Sequence, residues 1–241
     1  MKLFDNDMAQ ATVAGFGFSA VRPETLGATE YTLVTLVLDR TGSVNFFAHD
    51  LFAVKKSVVE ACLKSPRKDF ILLRVVEFNQ DVTEIHGFLP LQGIDVASYA
   101  VPRCEGSTAL RDAVFAAVSA THAYAKTLAD QDYLSNGIVV IATDGWDNAS
   151  RMRNSDVKAE LDRAMSGEVL ESLRTVLVGV NAGGNRAGLQ EFQTQVGIDQ
   201  YVDVAEASPQ KLARLAEFVS RSISAQTQAL GTGGPSQSLT F

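Results

Sequence analysis

Cysteine, histidine and positive charge are all scarce in this chain, and each scarcity removes a class of function. The two cysteines, Cys62 and Cys104, make neither a CxxC pair nor a metal-ligand spacing. The three histidines, His49, His86 and His122, have no ligand spacing either, and read as surface or helix residues. Lys and Arg number 21 against 28 Asp and Glu, a net charge of −7, so no basic face for nucleic acid is expected. No stretch approaches the ~20 apolar residues that span a bilayer. Residues 1–10 include Asp5 and Asp7 and lack the basic start of a secretory signal, so the expected setting is cytoplasmic, with no membrane partner. There is no GxSxG elbow, no Ser–His–Asp arrangement and no P-loop. The expectation is a binding protein, not an enzyme.

What is present is an alternation of β-type and helical patterns in 241 residues, 46% of them hydrophobic. Residues 31–38 (YTLVTLVL) are β-branched and almost wholly apolar, as in a central strand covered on both faces. Residues 50–64 place Leu51, Val54, Val58, Val59, Cys62 and Leu63 on one helical stripe that Pro66 ends. Strands are predicted at 70–78 and 82–91, joined by a short turn as an antiparallel hairpin at a sheet edge. A long alanine-rich helix follows at 109–129, then a strand at 137–143 and a helix at 155–166 with Ser155 as its N-cap. A strand at 173–180, a helix at 185–196 and a short strand at 200–204 come next. Ser208-Pro209 opens the last helix, expected to reach about residue 228.

This order predicts an α/β fold: a doubly wound, mostly parallel sheet with one antiparallel edge strand and helices on both faces. Residues 1–30 form an N-terminal extension that can add an edge strand at 11–20, residues 31–228 the domain, and residues 229–241, rich in Gly and Ser, a flexible tail. The string Gly15-Phe16-Gly17-Phe18-Ser19-Ala20 matches a GxGxxA dinucleotide fingerprint, but Pro23 and Gly27 interrupt the helix that should follow, so it reads as strand and loop.

In such sheets ligands bind beyond the carboxyl ends of the strands. Asp39-Arg40-Thr41-Gly42-Ser43 follows the first central strand, Asp144-Gly145 follows the strand at 137–143, and Gly106-Ser107-Thr108 opens the long helix. All three clusters fall on one rim. Two carboxylates and three hydroxyls make a hard oxygen set suited to Mg²⁺, with Mn²⁺ or Ca²⁺ as alternatives. Gly42 frees the backbone between two alternate hydroxyls that can point at one ion. Each segment alone is weak, since Ser and Thr are common helix caps and Asp-Gly is a common turn. Trp146, beside the last cluster, reads equally as a partner contact or a packed residue. Asp112 suits the positive end of a helix dipole, and Arg40 reads as a lure for an acidic surface or a solvent-facing charge.

Taken together, Asp39-x-Thr41-x-Ser43, Thr108 and Asp144 resemble the metal-ion-dependent adhesion site of von Willebrand factor A domains, over about residues 31–228. Thr41 stands where Ser is usual. The resemblance implies that Thr41, Ser43 and Thr108 ligate the cation directly while Asp39 and Asp144 act close behind. It also implies that an Asp or Glu of a partner protein completes the coordination. It further suggests a stand-alone bacterial type, similar to tellurite-resistance modules in stress response, working beside an ATPase or chaperone-like complex. Three readings compete: an FMN-binding flavodoxin-like protein, a Mg²⁺-dependent hydrolase or phosphotransferase using Asp39, and a structural protein that self-assembles.

Overall fold

Glu30–Asp39, the first central strand, is buried from Tyr31 to its end and hydrogen-bonds a parallel strand on either side. In this computed structural model, which describes residues 7–234 and 239–241, it is β3 of eight strands. The others are β1 (Met8–Val13), β2 (Phe16–Val21), β4 (Ile71–Phe78), β5 (Val82–Pro90), β6 (Leu134–Thr143), β7 (Leu173–Val180) and β8 (Gln200–Val204). The sheet order is β1-β2-β5-β4-β3-β6-β7-β8. Five α-helices cover it: α1 (Ala48–Leu63), α2 (Leu110–Ala129), α3 (Asn154–Ser166), α4 (Arg186–Val196) and α5 (Pro209–Thr232).

The apolar run of β3 serves two cores because alternate residues face opposite sides of a sheet. Leu33 and Val37 join Leu72, Val76, Val139 and Ile141 under α2, α3 and α4. Val34, Leu36 and Leu38 join Val75, Ile138 and Val140 under α1 and α5. Of the two threonines that interrupt the run, Thr35 is satisfied by Thr121 of α2 at 3.0 Å. The alanines of α2 let it lie close: Ala113, Ala117 and Ala125 are fully buried. The doubly wound, mostly parallel α/β class expected from the pattern is the one observed.

Several local expectations are corrected. β4 and β5 are antiparallel as expected, yet β5 is not the edge, because β2 pairs parallel to it through Ala20 and Phe88 and β1 lies outside β2. Residues 11–20 are therefore not one strand but parts of two, folded at Ala14 and Gly15, whose φ values of 49° and 87° suit a two-residue hairpin turn. The GxGxxA string lies on this hairpin, as strand and turn. A partly buried ionic clamp joins hairpin and sheet: Arg74 Nε donates to Glu84 at 2.6 Å, and Glu84 accepts the Ser19 N–H and hydroxyl.

Ser155 is not the N-cap of α3; the helix starts one residue earlier, and the Asp156 carboxylate takes the Arg153 N–H at 2.9 Å. α5 runs past residue 228 to Thr232 and stops at Gly233, whose φ of 64° is the left-handed stop glycine provides at low cost. Of the stretch expected as a flexible tail, residues 229–232 are thus helical. The Phe241 ring meets Phe218 edge-on, and residues 235–238 lie outside the described residues. Cys62 and Cys104 are free thiols. His86 is not a surface residue: it sits half-buried on β5, bonded to the Tyr99 hydroxyl at 2.7 Å.

Candidate metal centre

Asp39 ends β3 and Thr143 ends β6, side by side in the parallel ladder. One Asp39 oxygen accepts the Thr143 hydroxyl at 2.5 Å and the other accepts the Thr41 N–H at 2.8 Å. The second bond curls the chain immediately after the strand and turns residues 41–43 back over its end. Asp39 is 1% exposed. Burial is the main cause that pushes its carboxyl up to about 6, against the hydrogen bonds from Thr143 and Thr41, with the charge of Asp144 adding to the rise. Burial raises Asp144 as well, opposed by its bond from Ser43.

From there a chain of polar contacts crosses the rim. Ser43 Oγ donates to Asp144 Oδ1 at 2.9 Å, and the hydroxyls of Thr41 and Ser43 lie 3.1 Å apart. Since the Ser43 proton goes to Asp144, Thr41 is the donor of that pair. The first and third segments expected from the sequence therefore meet directly. Arg40 turns away, its guanidinium on Thr83 of β5 at 3.1 Å, so its charge does not face the oxygen cluster.

Thr108 is brought in by backbone. Glu105 N–H donates to the Arg40 carbonyl at 3.0 Å, and Gly42 N–H to the Gly106 carbonyl at 3.4 Å, lacing the second segment to the first. The Thr108 N–H donates to the Asn148 side chain at 2.8 Å, and its carbonyl accepts the N–H groups of Asn148 and Ala149. Gly145 has no side chain to intrude: a Cβ there would stand 3.6 Å from the Thr108 hydroxyl oxygen. Buried Asn79 holds this segment from below, its side chain donating to the Glu105 carbonyl and its own carbonyl accepting the Ala109 N–H.

The alternative reading of Thr108 as a plain helix cap fails on geometry. The residue ahead of α2 is Ala109, and no side chain at that position caps it. The first N–H groups of α2 are served from the loop after β6, Arg111 N–H by the Asp147 carboxylate at 2.8 Å and Asp112 N–H by the Ser150 hydroxyl at 3.0 Å. The Thr108 hydroxyl is therefore not spent on the helix. Asp147 is also gripped by the Arg111 guanidinium at 2.7 Å, and these bonds hold its carboxyl below the usual range although burial alone would raise it. Asp112 accepts the N–H groups of Arg151 and Met152, so it pins the loop after β6 in addition to sitting in the first turn of α2.

Sequence reasoning missed Thr143, Asn148, Asp147 and Asn79. Asp147 and Asn148 stand in the run Asp144-Gly145-Trp146-Asp147-Asn148, where nothing local shows that they bind α2. Trp146 is packed on one side, its ring edge-on to Phe192 with 6.2 Å between centroids, and it is still 41% exposed. Among the described residues no three His, Cys, Asp or Glu side chains gather as a metal cluster, so the oxygen set here is one of hydroxyls with two carboxylates. That set fits a hard divalent cation: it is wholly oxygen, and its deepest carboxylate is surrounded by neutral donors alone.

No family model matches this chain, and no curated protein matches it in sequence. Solved structures do match. The PilB minor pilin from Streptococcus sanguinis aligns over 93% of this chain and 68% of its own, at 14% identity and a TM-score of 0.59. The pilus adhesin SpaC from Lactobacillus rhamnosus GG, in its open conformation, aligns over 93% of this chain and 35% of its own, at 11% identity and a TM-score of 0.59. Proximal thread matrix protein 1 from the mussel byssus, with its MIDAS motif occupied by zinc, aligns over 80% of this chain and 46% of its own, at 16% identity and a TM-score of 0.50. At these identities the shared property is the fold, a doubly wound von Willebrand factor A-like sheet, and this chain spans only part of each neighbour. Among the described residues no helix is long and apolar enough to cross a membrane.

Proposed function

We propose that this chain is a metal-dependent protein-binding module. Thr41, Ser43 and Thr108 hold a divalent cation, Asp39 and Asp144 supply the offsetting charge, and an Asp or Glu of a partner protein completes the coordination. The observation that carries this reading is Asp39 itself. A carboxylate that is 1% exposed, with only hydroxyl and N–H partners, has its carboxyl raised to about 6. At neutral pH it is a buried negative charge with no positive partner, an arrangement that costs free energy unless a cation is bound. The hydroxyls that bridge toward Asp144 are the remaining donors such a cation needs.

When bound, the cation supplies a Lewis-acidic position for an incoming carboxylate oxygen. Neutral hydroxyl donors leave more of its charge for that oxygen than carboxylate donors do. The zinc-occupied MIDAS motif of the byssus protein supports a divalent ion on this fold, and the pilin and pilus adhesin support an interaction role. Mg²⁺ is our choice of ion because few ligands, all oxygen, suit a small hard cation that keeps several waters.

Calorimetric titration of Mg²⁺ and Mn²⁺ into metal-free protein tests the reading, beside the Asp39→Ala, Thr108→Ala double variant. Saturable binding in the parent and none in the folded double variant is expected. A folded parent that takes up neither ion, with or without added acetate, removes the proposal.

A further inference from the structure

The rim of this site carries two aromatic side chains whose exposure the fold does not require. Phe46 lies in the 3-10 turn Gly42–Phe47 that follows the first oxygen cluster; Val44 and Phe47 of that turn are buried, whereas Phe46 is 94% exposed. Trp146 is fixed rather than loose. Its six-membered ring lies over Gly188, where a Cβ would come within 3.2 Å of it, and edge-on to Phe192, while the rest stays open to solvent. Among the described residues the other exposed aromatic, Phe241, is engaged edge-on with Phe218.

Phe46 and Trp146 stand on different loops, and those loops are joined at the oxygen cluster. Ser43 bonds Asp144 at 2.9 Å. Phe46 follows Ser43 by three residues and Trp146 follows Asp144 by two, so neither can be more than about 11 Å of chain from that pair. Both aromatics therefore belong to the loops that hold the oxygen cluster, next to where a partner carboxylate would approach. Of the carboxylates on these loops, Asp147 is paired with Arg111 at 2.7 Å, and a bound divalent cation would offset Asp39 and Asp144.

We infer that the partner presents its acidic residue between apolar side chains, which pack on Phe46 and Trp146. This rests on the metal-binding reading and adds the chemistry that selects the partner. Aromatic walls bury area at low entropic cost, and by excluding water they strengthen the bond between cation and carboxylate. A glutamate on a purely polar surface gains only the bond to the cation.

The test compares two labelled peptides by fluorescence anisotropy with saturating Mg²⁺, one with glutamate between leucine and phenylalanine and one with glutamate between glycine and serine. The parent should bind the apolar peptide at least roughly tenfold tighter, the scale of burying one large apolar side chain. Phe46→Ser should reduce that preference to about threefold or less while calorimetric Mg²⁺ binding is unchanged, and Phe241→Ser should leave it intact. Trp146 is the sole tryptophan, so its emission should shift to the blue with the apolar peptide and return when EDTA is added. Equal binding of the two peptides by a parent that takes up Mg²⁺ overturns the inference and leaves the metal reading standing. So does a preference that survives Phe46→Ser. A parent that takes up no Mg²⁺ overturns both.

Discussion

Ser43 and Asp144 are 101 residues apart in the chain and 2.9 Å apart at the sheet rim, hydroxyl to carboxylate. That bond closes a row of oxygens from Thr41 through Ser43 to Asp144, beside Asp39. Its position follows from β3 and β6 being parallel neighbours that end together.

Asp39 makes stability depend on pH in a direction opposite to that of a salt-bridged carboxylate. Its folded carboxyl titrates near 6 and its usual value is 3.8, so the folded state holds a proton that the unfolded state has released. The metal-free fold therefore loses stability as pH rises from about 4 to about 6, by up to about 3 kcal/mol from this group. Asp39→Asn should raise the metal-free unfolding free energy at pH 7 by part of that amount and do little at pH 4. Urea denaturation in EDTA at both pH values checks it; an equal effect at both contradicts the assignment.

Ser43→Ala removes the hydroxyl between Thr41 and Asp144 without opening the core. Mg²⁺ affinity should fall by at least about tenfold, with stability changed by less than about 1 kcal/mol. Calorimetry beside a thermal melt separates the two effects.

Gly106 adopts φ +84°, a backbone conformation that L side chains rarely take, whereas the Gln80 side-chain oxygen that an added Cβ would meet is the end of an exposed chain able to move aside. Gly106→Ala should cost about 1–3 kcal/mol and weaken Mg²⁺ binding by displacing the Thr108 segment. Gly42→Ala is the control: contrary to the expectation that this position needs glycine, its φ is not positive and a Cβ there meets only the Gly106 carbonyl at 3.9 Å, so the stability cost should be small. Denaturant midpoints for the two variants decide the comparison.

Lys55 and Glu77 form a buried ion pair at 2.7 Å, with the ammonium also over the Phe52 and Tyr99 rings. Lys55→Met strands the Glu77 charge and should cost about 3–5 kcal/mol, whereas Lys55→Met with Glu77→Leu should recover most of it. A double-mutant cycle in urea reads the difference.

Local pattern is enough to place the elements whose residues repeat with a period. The all-apolar run of β3, the stripe of α1 and the alanines of α2 each state which faces are covered, because burial on two faces or one leaves a local pattern. It also put the five oxygen-bearing residues on one rim, since all follow strands or open a helix at the same end of a doubly wound sheet. Features that depend on partners distant in the chain emerge only once it has folded. The N-terminal hairpin is an example: its turn is Ala14-Gly15, a weak signal, and its place beyond β5 is secured by Glu84 reaching Ser19. The extra turn of α5 is another, because a Gly-rich stretch remains helical until Gly233 stops it. Most telling is the freedom of the Thr108 hydroxyl. Only the fold brings Asp147 and Ser150 across to serve the first N–H groups of α2, and a hydroxyl is available to an ion only when another group has taken its capping role.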